Sequence, residues 1–313
     1  MIPIRLRDFV EDSDGWLYAV STYDNDEKVG CVLRYVPDKH GERENPSGRR
    51  YKKYDFEDAY TFIRHHKPHY SNLVQRIPIR DVKKVLKPEI EISRIANNHV
   101  RVRKLLELFS LPSGTIGCTG SILCGLENET SDIDMVVYGK HWFTAQGLVR
   151  KGIMDGKMEG LSQNMWHKVY EKRKPEISYD HFVLHELRKW NRGQIDGTYF
   201  DILYTRSYEE LKSAPTGKGE VIGKMNVEAK VTDASLAYDS PAVYEVEHEL
   251  VSRVLSFTHT YSGQALAGEK IEVSGICEQH GSEYWLVVGT TREARGEYIV
   301  SRTLLDQGLK QIR

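Results

Sequence analysis

Cysteine is scarce in this 313-residue chain. There are four, Cys31, Cys118, Cys124 and Cys277, too far apart to make a C-x-x-C pair. That spacing excludes a zinc framework and predicts reduced, buried thiols. Long apolar runs are missing too. No segment approaches the roughly 20 apolar residues of a membrane-spanning helix. The first twelve residues, Met-Ile-Pro-Ile-Arg-Leu-Arg-Asp-Phe-Val-Glu-Asp, hold no apolar core of signal-peptide length. A cytoplasmic protein with no membrane partner is the expectation. Neither sign of charge dominates: 44 Lys and Arg stand against 45 Asp and Glu, so the whole molecule is not a polycation. Internal repeats and low-complexity tracts are absent. What remains is 40% hydrophobic and 28% charged, the composition of a globular protein and long enough for two or three domains.

The chemistry concentrates in residues 114–138. Gly120-Ser121 opens an apolar turn of helix, Ile122 to Leu126. Asp132-Ile133-Asp134 then runs straight into Met135-Val136-Val137-Tyr138, which reads as a short buried strand. Alternate strand residues share a face, so Asp132 and Asp134 point one way and Ile133 the other. Two carboxylates so placed repel each other, and without a cation one takes up a proton or the strand is destabilised. A divalent metal is the natural cation, because Mg²⁺ takes carboxylate oxygens together with substrate phosphates. Asp-x-Asp alone is weak evidence, since surface turns often contain one. Asp201 strengthens it. It is the single acid within Tyr199-Phe200-Asp201-Ile202-Leu203-Tyr204, and an acid in an apolar strand is costly to bury without a partner.

The stretch resembles the signature of the polymerase-β-type nucleotidyltransferase superfamily: an apolar residue, Gly, Gly or Ser, a spacer, then Asp-apolar-Asp-apolar. Here it reads Thr119-Gly120-Ser121, ten intervening residues, then Asp132-Ile133-Asp134-Met135. Thr119 departs from the pattern. The resemblance covers residues 89–206 and is narrower still to archaeal proteins described only as nucleotidyltransferase-domain proteins. It implies an α+β domain with a mixed sheet and helices, and a third carboxylate on a later strand, a role that Asp201 fits. On this reading Asp132, Asp134 and Asp201 are both catalytic residues and ligands of two Mg²⁺ ions. Gly120 and Ser121 hold the phosphates of a nucleoside triphosphate such as ATP. A nucleoside monophosphate passes to an acceptor hydroxyl and pyrophosphate leaves. The acceptor stays open, because this superfamily uses nucleic acids, proteins and antibiotics alike; RNA or DNA is favoured. Nucleotide-sugar glycosyltransferases also carry Asp-x-Asp, but at the end of an apolar strand rather than its start.

Around this centre the sequence suggests three domains: a basic α+β domain at 1–88, the nucleotidyltransferase domain at 89–212 and a mostly β domain at 213–313. Residues 15–23 and 29–36 read as a hairpin across Asp24-Asn25-Asp26. Asp55 caps a helix to His66, and a short helix from Asp81 to Lys87 stops at Pro88. His65, His66 and His69 read as exposed histidines at a helix end. One amphipathic helix is expected over 89–109, another over 141–151, and two over 161–192, broken at Pro175. Lys168, Lys172, Arg173 and Lys174 cluster there, as triphosphate contacts or a solvated face. Gly193 to Gly197 reads as a loop. Residues 214–219 read as a linker, followed by strands at 221–232, 269–275 and 284–289, in a possible barrel. Residues 297–305 fit helix or strand equally.

Residues 34–104 hold 18 Lys and Arg against 9 Asp and Glu. The densest part is Arg49-Arg50-Tyr51-Lys52-Lys53-Tyr54. Arg49, Arg50, Lys52 and Lys53 are candidate nucleic-acid contacts, with cations for phosphates and rings to stack on bases. The alternative is a solvated basic face. A second function class follows: a nucleic-acid-binding protein whose central domain is idle.

Overall fold

In the computed structural model, residues 2–72, 74–211, 217–290 and 294–312 are described. They form a mixed α+β protein with three sheets. Among them no helix is long and apolar enough to cross a membrane. By packing, the chain divides into two units, residues 1–159 with 191–212, and residues 160–190 with 213–313. Each sheet falls within one of the three stretches the sequence suggested. Residues 160–190 differ: they pack in the second unit, because Trp166, Ile177 and Phe182 share its apolar core. Residues 214–216 of the expected linker lie outside the described residues.

The first sheet contains β1 (Phe9–Asp12), β2 (Leu17–Val20), β3 (Lys28–Pro37), β4 (Arg43–Glu44), β5 (Arg50–Lys53), β6 (Gln75–Pro78) and β7 (Val82–Leu86). Their order is β4-β5-β3-β2-β1-β7, with β6 also on β3. β2 and β3 form the expected hairpin. Helix α1 (Phe56–His66) starts as expected at Asp55, whose side chain accepts from the Asp58 N–H. The segment expected as a helix at 81–87 is instead β7. Its Val-Lys-Lys-Val-Leu run pairs along the edge of β1, Phe9 opposite Leu86 and Glu11 opposite Lys84. Tertiary pairing here overrides a weak local propensity.

One helix was expected over 89–109, and two are present: α2 (Pro88–Asn98) and α3 (Val100–Phe109). His99 breaks them by adopting extended backbone, and its ring nitrogen accepts from the Val102 N–H. The second sheet holds β8 (Ile116–Cys118), β9 (Ile133–Tyr138), β10 (Arg192–Ile195) and β11 (Thr198–Thr205) in the order β10-β11-β9-β8. Helix α4 (Gly120–Cys124) follows β8, and α5 (His141–Met154) follows β9. Trp142 of α5 is fully buried and donates to the Ile202 carbonyl. The expected loop at 193–197 is mostly strand. Asp196 and Gly197 both have positive φ, +48° and +72°, the backbone of a two-residue hairpin turn.

The N-terminal segment is fastened to this sheet by a buried cation. Arg5 lies between the rings of Tyr138 and Tyr208, 3.6 and 3.8 Å from their centroids, and pairs with Glu89 at 3.0 Å. Burial alone would raise the Glu89 pKa. The hydrogen bond from Tyr208, the Arg5 charge and the hydrogen bond from Tyr138 outweigh it and hold the carboxyl below its ordinary value.

In the second unit are α6 (Gln163–Arg173) and α7 (Tyr179–Lys189), then β12 (Glu220–Asp233), β13 (Ala242–Glu247), β14 (Val251–Ser256), β15 (Lys270–His280), β16 (Glu283–Val288) and β17 (Tyr298–Ser301), and last α8 (Arg302–Ile312). Residues 297–305 are thus strand and then helix. β12 is long: its first part pairs with β15 and its end with β13. Pairings β13–β14, parallel β14–β16 and β15–β16 complete a ring. This is a five-stranded Greek-key barrel with the strand order of OB-folds. His185 of α7 is buried beside it. Its Nδ1 donates to the His181 carbonyl and its Nε2 accepts from the Ser301 N–H, at 2.6 and 2.9 Å. Burial pushes its pKa down to about 3, so the ring is neutral.

Candidate nucleotidyltransferase site

β9 and β11 run parallel with Asp134 in register beside Asp201. Neighbours in register share a face, on strands about 4.8 Å apart. Ile133, Met135, Phe200 and Ile202 fill the opposite, buried face. Apolar alternation therefore fixes where both acids point. Asp132 lies just before β9 and is exposed, whereas Asp134 and Asp201 are half-buried.

Gly120 closes against this row. The Thr119 N–H donates to the Asp134 carbonyl at 2.9 Å, so the chain leaves β8 directly beside Asp134. A Cβ at Gly120 would lie 2.6 Å from Asp134 Oδ2, and its φ is +70°. The backbone favours glycine, and any side chain there would push the Asp134 carboxylate aside. Ser121 follows in the first turn of α4. Thr119, the departure from the signature, is buried, and its hydroxyl donates to the Arg7 carbonyl at 2.6 Å. An apolar residue there would leave that carbonyl without this donor.

Asp201 is engaged within the protein. Tyr199 donates to its Oδ2 at 2.8 Å, and Arg192 Nε, directly across the β10–β11 hairpin, lies 3.4 Å from Oδ1. Among the described residues no group of three or more His, Cys, Asp or Glu side chains is placed to hold a metal ion. The structure thus brings Asp134 and Asp201 side by side, but Asp201 faces a cation of its own. The donor chemistry fits Mg²⁺, being hard carboxylate oxygen throughout.

Arg192 and Tyr199 were not singled out from the sequence, and neither was Arg43. Arg43 donates to the Leu126 carbonyl and to Ser131 Oγ, at 3.3 and 3.2 Å, anchoring the spacer just before Asp132. Burial, with Asp134 nearby, pushes the Cys118 thiol well above its ordinary pKa. Burial also raises that of Cys124. Both are therefore protonated at neutral pH and are poor nucleophiles.

Arg49, Arg50, Lys52 and Lys53 are exposed on and beside β5. Their neighbours Tyr51 and Tyr54 are buried at 5% and 7% exposure. Tyr54 packs in the apolar core of this sheet and is not open for stacking on bases, which corrects that part of the expectation, whereas Tyr51 lines a small cavity beside Arg49. Lys168, Lys172, Arg173 and Lys174 belong to the second unit, where Arg173 lies 3.6 Å from Glu186.

Residues 101–206 match the family model of the nucleotidyltransferase domain. The chain is 35% identical over 335 aligned positions to "Uncharacterized protein MJ1086" of Methanocaldococcus jannaschii, covering 95% of this chain and 98% of that one. No solved structure matches. The chain belongs to the family of this archaeal protein and carries a nucleotidyltransferase domain at 101–206, the segment that holds Gly120, Ser121, Asp132, Asp134 and Asp201.

Proposed function

We propose that this protein transfers a nucleoside monophosphate from a nucleoside triphosphate to an acceptor hydroxyl, using Mg²⁺ held by Asp132, Asp134 and Asp201. The observation that carries this is the in-register pair of like charges, Asp134 beside Asp201, with Gly120 closed against Asp134. Like charges side by side on adjacent strands cost stability, and a shared divalent cation would offset that cost.

Gly120 lets the backbone approach the triphosphate, and Ser121 adds a hydroxyl donor beside the N–H groups that open α4. Five residues make a short helix, so these local donors matter more than any macrodipole. Asp132 and Asp134 would hold Mg²⁺, which takes carboxylate oxygens together with substrate phosphates and would so orient the triphosphate. Asp201 accepts the proton of the acceptor hydroxyl. The acceptor oxygen bonds to the α-phosphorus, the bond from that phosphorus to the bridging oxygen breaks, and pyrophosphate leaves with the electron pair. Bound Mg²⁺ supplies charge neutralisation for the attacking and leaving oxygens.

Nucleic acid is the favoured acceptor, because the exposed cations of β5 share one unit with the site. The barrel of the second unit has an oligonucleotide-binding strand order. Yet residues 213–313 carry 14 acids against 10 Lys and Arg, which disfavours it as the main grip on phosphates. The test is to incubate the protein with each labelled triphosphate, Mg²⁺ and separate RNA, DNA and protein fractions. Label entering the RNA or DNA fraction is expected. No label in any fraction, from a protein that binds triphosphate, would favour the idle-domain alternative.

A further inference from the structure

Beside α4, within the first unit, is a cavity of about 330 Å³. That lies within the size range of small-molecule sites, about 300–1,000 Å³. Leu123 and Cys124 of α4 form one wall. Ser121 lies less than one helical turn away, about 3–5 Å along the axis. Leu17 and Leu86 add apolar surface, and Arg49 and Lys84 bring charge.

The polar groups at this cavity are mostly donors. Asn45 Oδ1 is already occupied, accepting from the Ser47 N–H, the Ser47 hydroxyl and the Arg49 N–H. That fixes the amide so that its NH₂ is the group left to donate. Arg49 rests 5.4 Å from the Tyr51 ring centroid. Lys84 is exposed, and neither cation has a carboxylate partner among the described residues. Two acids also line the space. Glu91 is engaged by Arg94 at 2.7 Å. Glu11 stands opposite Lys84 in register without forming an ion pair. The cavity therefore offers two cations and an amide to an anion, one carboxylate to a hydroxyl, and an apolar wall.

We infer that this cavity receives a nucleoside monophosphate unit: phosphate on Arg49, Lys84 and Asn45, ribose hydroxyls on Glu11, and the base against Leu17 and Leu86. That the bound unit is the end of an acceptor strand rests on the nucleotidyl-transfer reading; the binding itself does not. The same chemistry comes from a free mononucleotide or from the terminal nucleotide of an oligoribonucleotide.

The test is calorimetric titration of the full chain with its triphosphate site filled by a non-hydrolysable triphosphate analogue. The titrants are the four ribonucleoside monophosphates, their 2′-deoxy counterparts and a short oligoribonucleotide. Lys84→Ala, at an exposed position, is expected to weaken monophosphate binding about 10- to 100-fold, the worth of a hydrogen bond to a charged group. It should leave binding of the triphosphate analogue unchanged. Glu11→Gln should shrink any preference for ribo over deoxy. Oligonucleotide binding that shares the Lys84 dependence identifies a strand end as the ligand, and monophosphate binding alone identifies the free nucleotide. Equal monophosphate affinity in wild type and Lys84→Ala, or no monophosphate binding at all, would overturn the inference. If Lys84 controls binding but no fraction ever gains label, the pocket stands and the transfer reading falls. If label is transferred and Lys84 is without effect, the reverse holds.

Discussion

Two strand pairings in this protein treat charge in opposite ways. Across β13 and β14, Glu245 faces Arg253 in register, with Arg253 Nε 2.5 Å from the carboxylate. Across β9 and β11, Asp134 stands beside Asp201. The first arrangement stabilises a sheet and the second opposes it. Like charges placed in register within an otherwise charge-matched fold are the kind of local conflict expected at a functional site. The counterweight is Arg192, which reaches Asp201 from the next strand.

The sharpest way to break this contrast is Asp134→Asn. Transfer should fall by at least about 10²–10³-fold, as for loss of a key electrostatic group. The melting temperature of the metal-free protein should hold or rise, because repulsion with its neighbours is relieved. A variant that melts far earlier, yet still transfers nucleotide where it is folded, would show the acid to be structural.

Arg192→Met asks what holds Asp201 in the absence of metal. Removing one partner of a buried pair costs about 3–5 kcal/mol, and the Arg192 and Asp201 side chains are only 4% and 15% exposed. Metal-free melting should drop accordingly, and millimolar Mg²⁺ should restore more of it in the variant than in the wild type. Equal Mg²⁺ responses in the two proteins would separate Asp201 from the metal site.

In the second unit the expected effect is smaller and depends on pH. His185 has a folded pKa near 3 against an ordinary value of 6.5, so the unfolded chain binds its proton first. Its contribution is present above pH 6.5 and is lost as pH falls from there toward 3, at up to about 1.4 kcal/mol per pH unit. Melting curves of wild type and His185→Gln across pH 4–7 should converge as pH falls. Parallel curves would refute the linkage. Least of all, Glu245→Gln should cost about 0.2–1 kcal/mol in denaturant unfolding, since the pair is partly exposed. A loss several times larger would make the barrel pair part of a tighter network.

Much of the site was legible because its constraints are local. Gly120, Ser121, Asp132 and Asp134 follow one another at fixed spacing, and the apolar residues between them declare the strand. Asp201 stood out as the one acid in an apolar run, in the place the resemblance leaves for a third carboxylate, and the structure sets it beside Asp134. Arg192 did not stand out, because its role arises from pairing in the hairpin. A local signal existed all the same. Asp196-Gly197 between two short runs is a hairpin turn by composition, and reading it would have set Arg192 opposite Asp201. Val82 to Leu86 misled for the opposite reason: two lysines amid apolar residues suit helix or strand, and only the edge of β1 decides. The lining of the cavity is drawn from six separate segments between Glu11 and Cys124, and of these only the basic stretch around Arg49 stood out in the sequence.

The chain leaves the first unit after Glu159 and returns at Asn191, and this detour sets a timetable on the ribosome. Strand β11, which completes the sheet of the nucleotidyltransferase domain, is made soon after the detour. Helices α6 and α7 must wait. Trp166 and Phe182 share their core with Val254, Leu286 and Leu305. At about 5–20 residues per second, the partners furthest along emerge roughly 6–25 s after Phe182. For that interval the nascent chain carries two helices with unclaimed apolar faces while the rest of its first unit is able to close. Chains that terminate early, near residue 212, keep those faces permanently and are the species on which chaperones or aggregation would act.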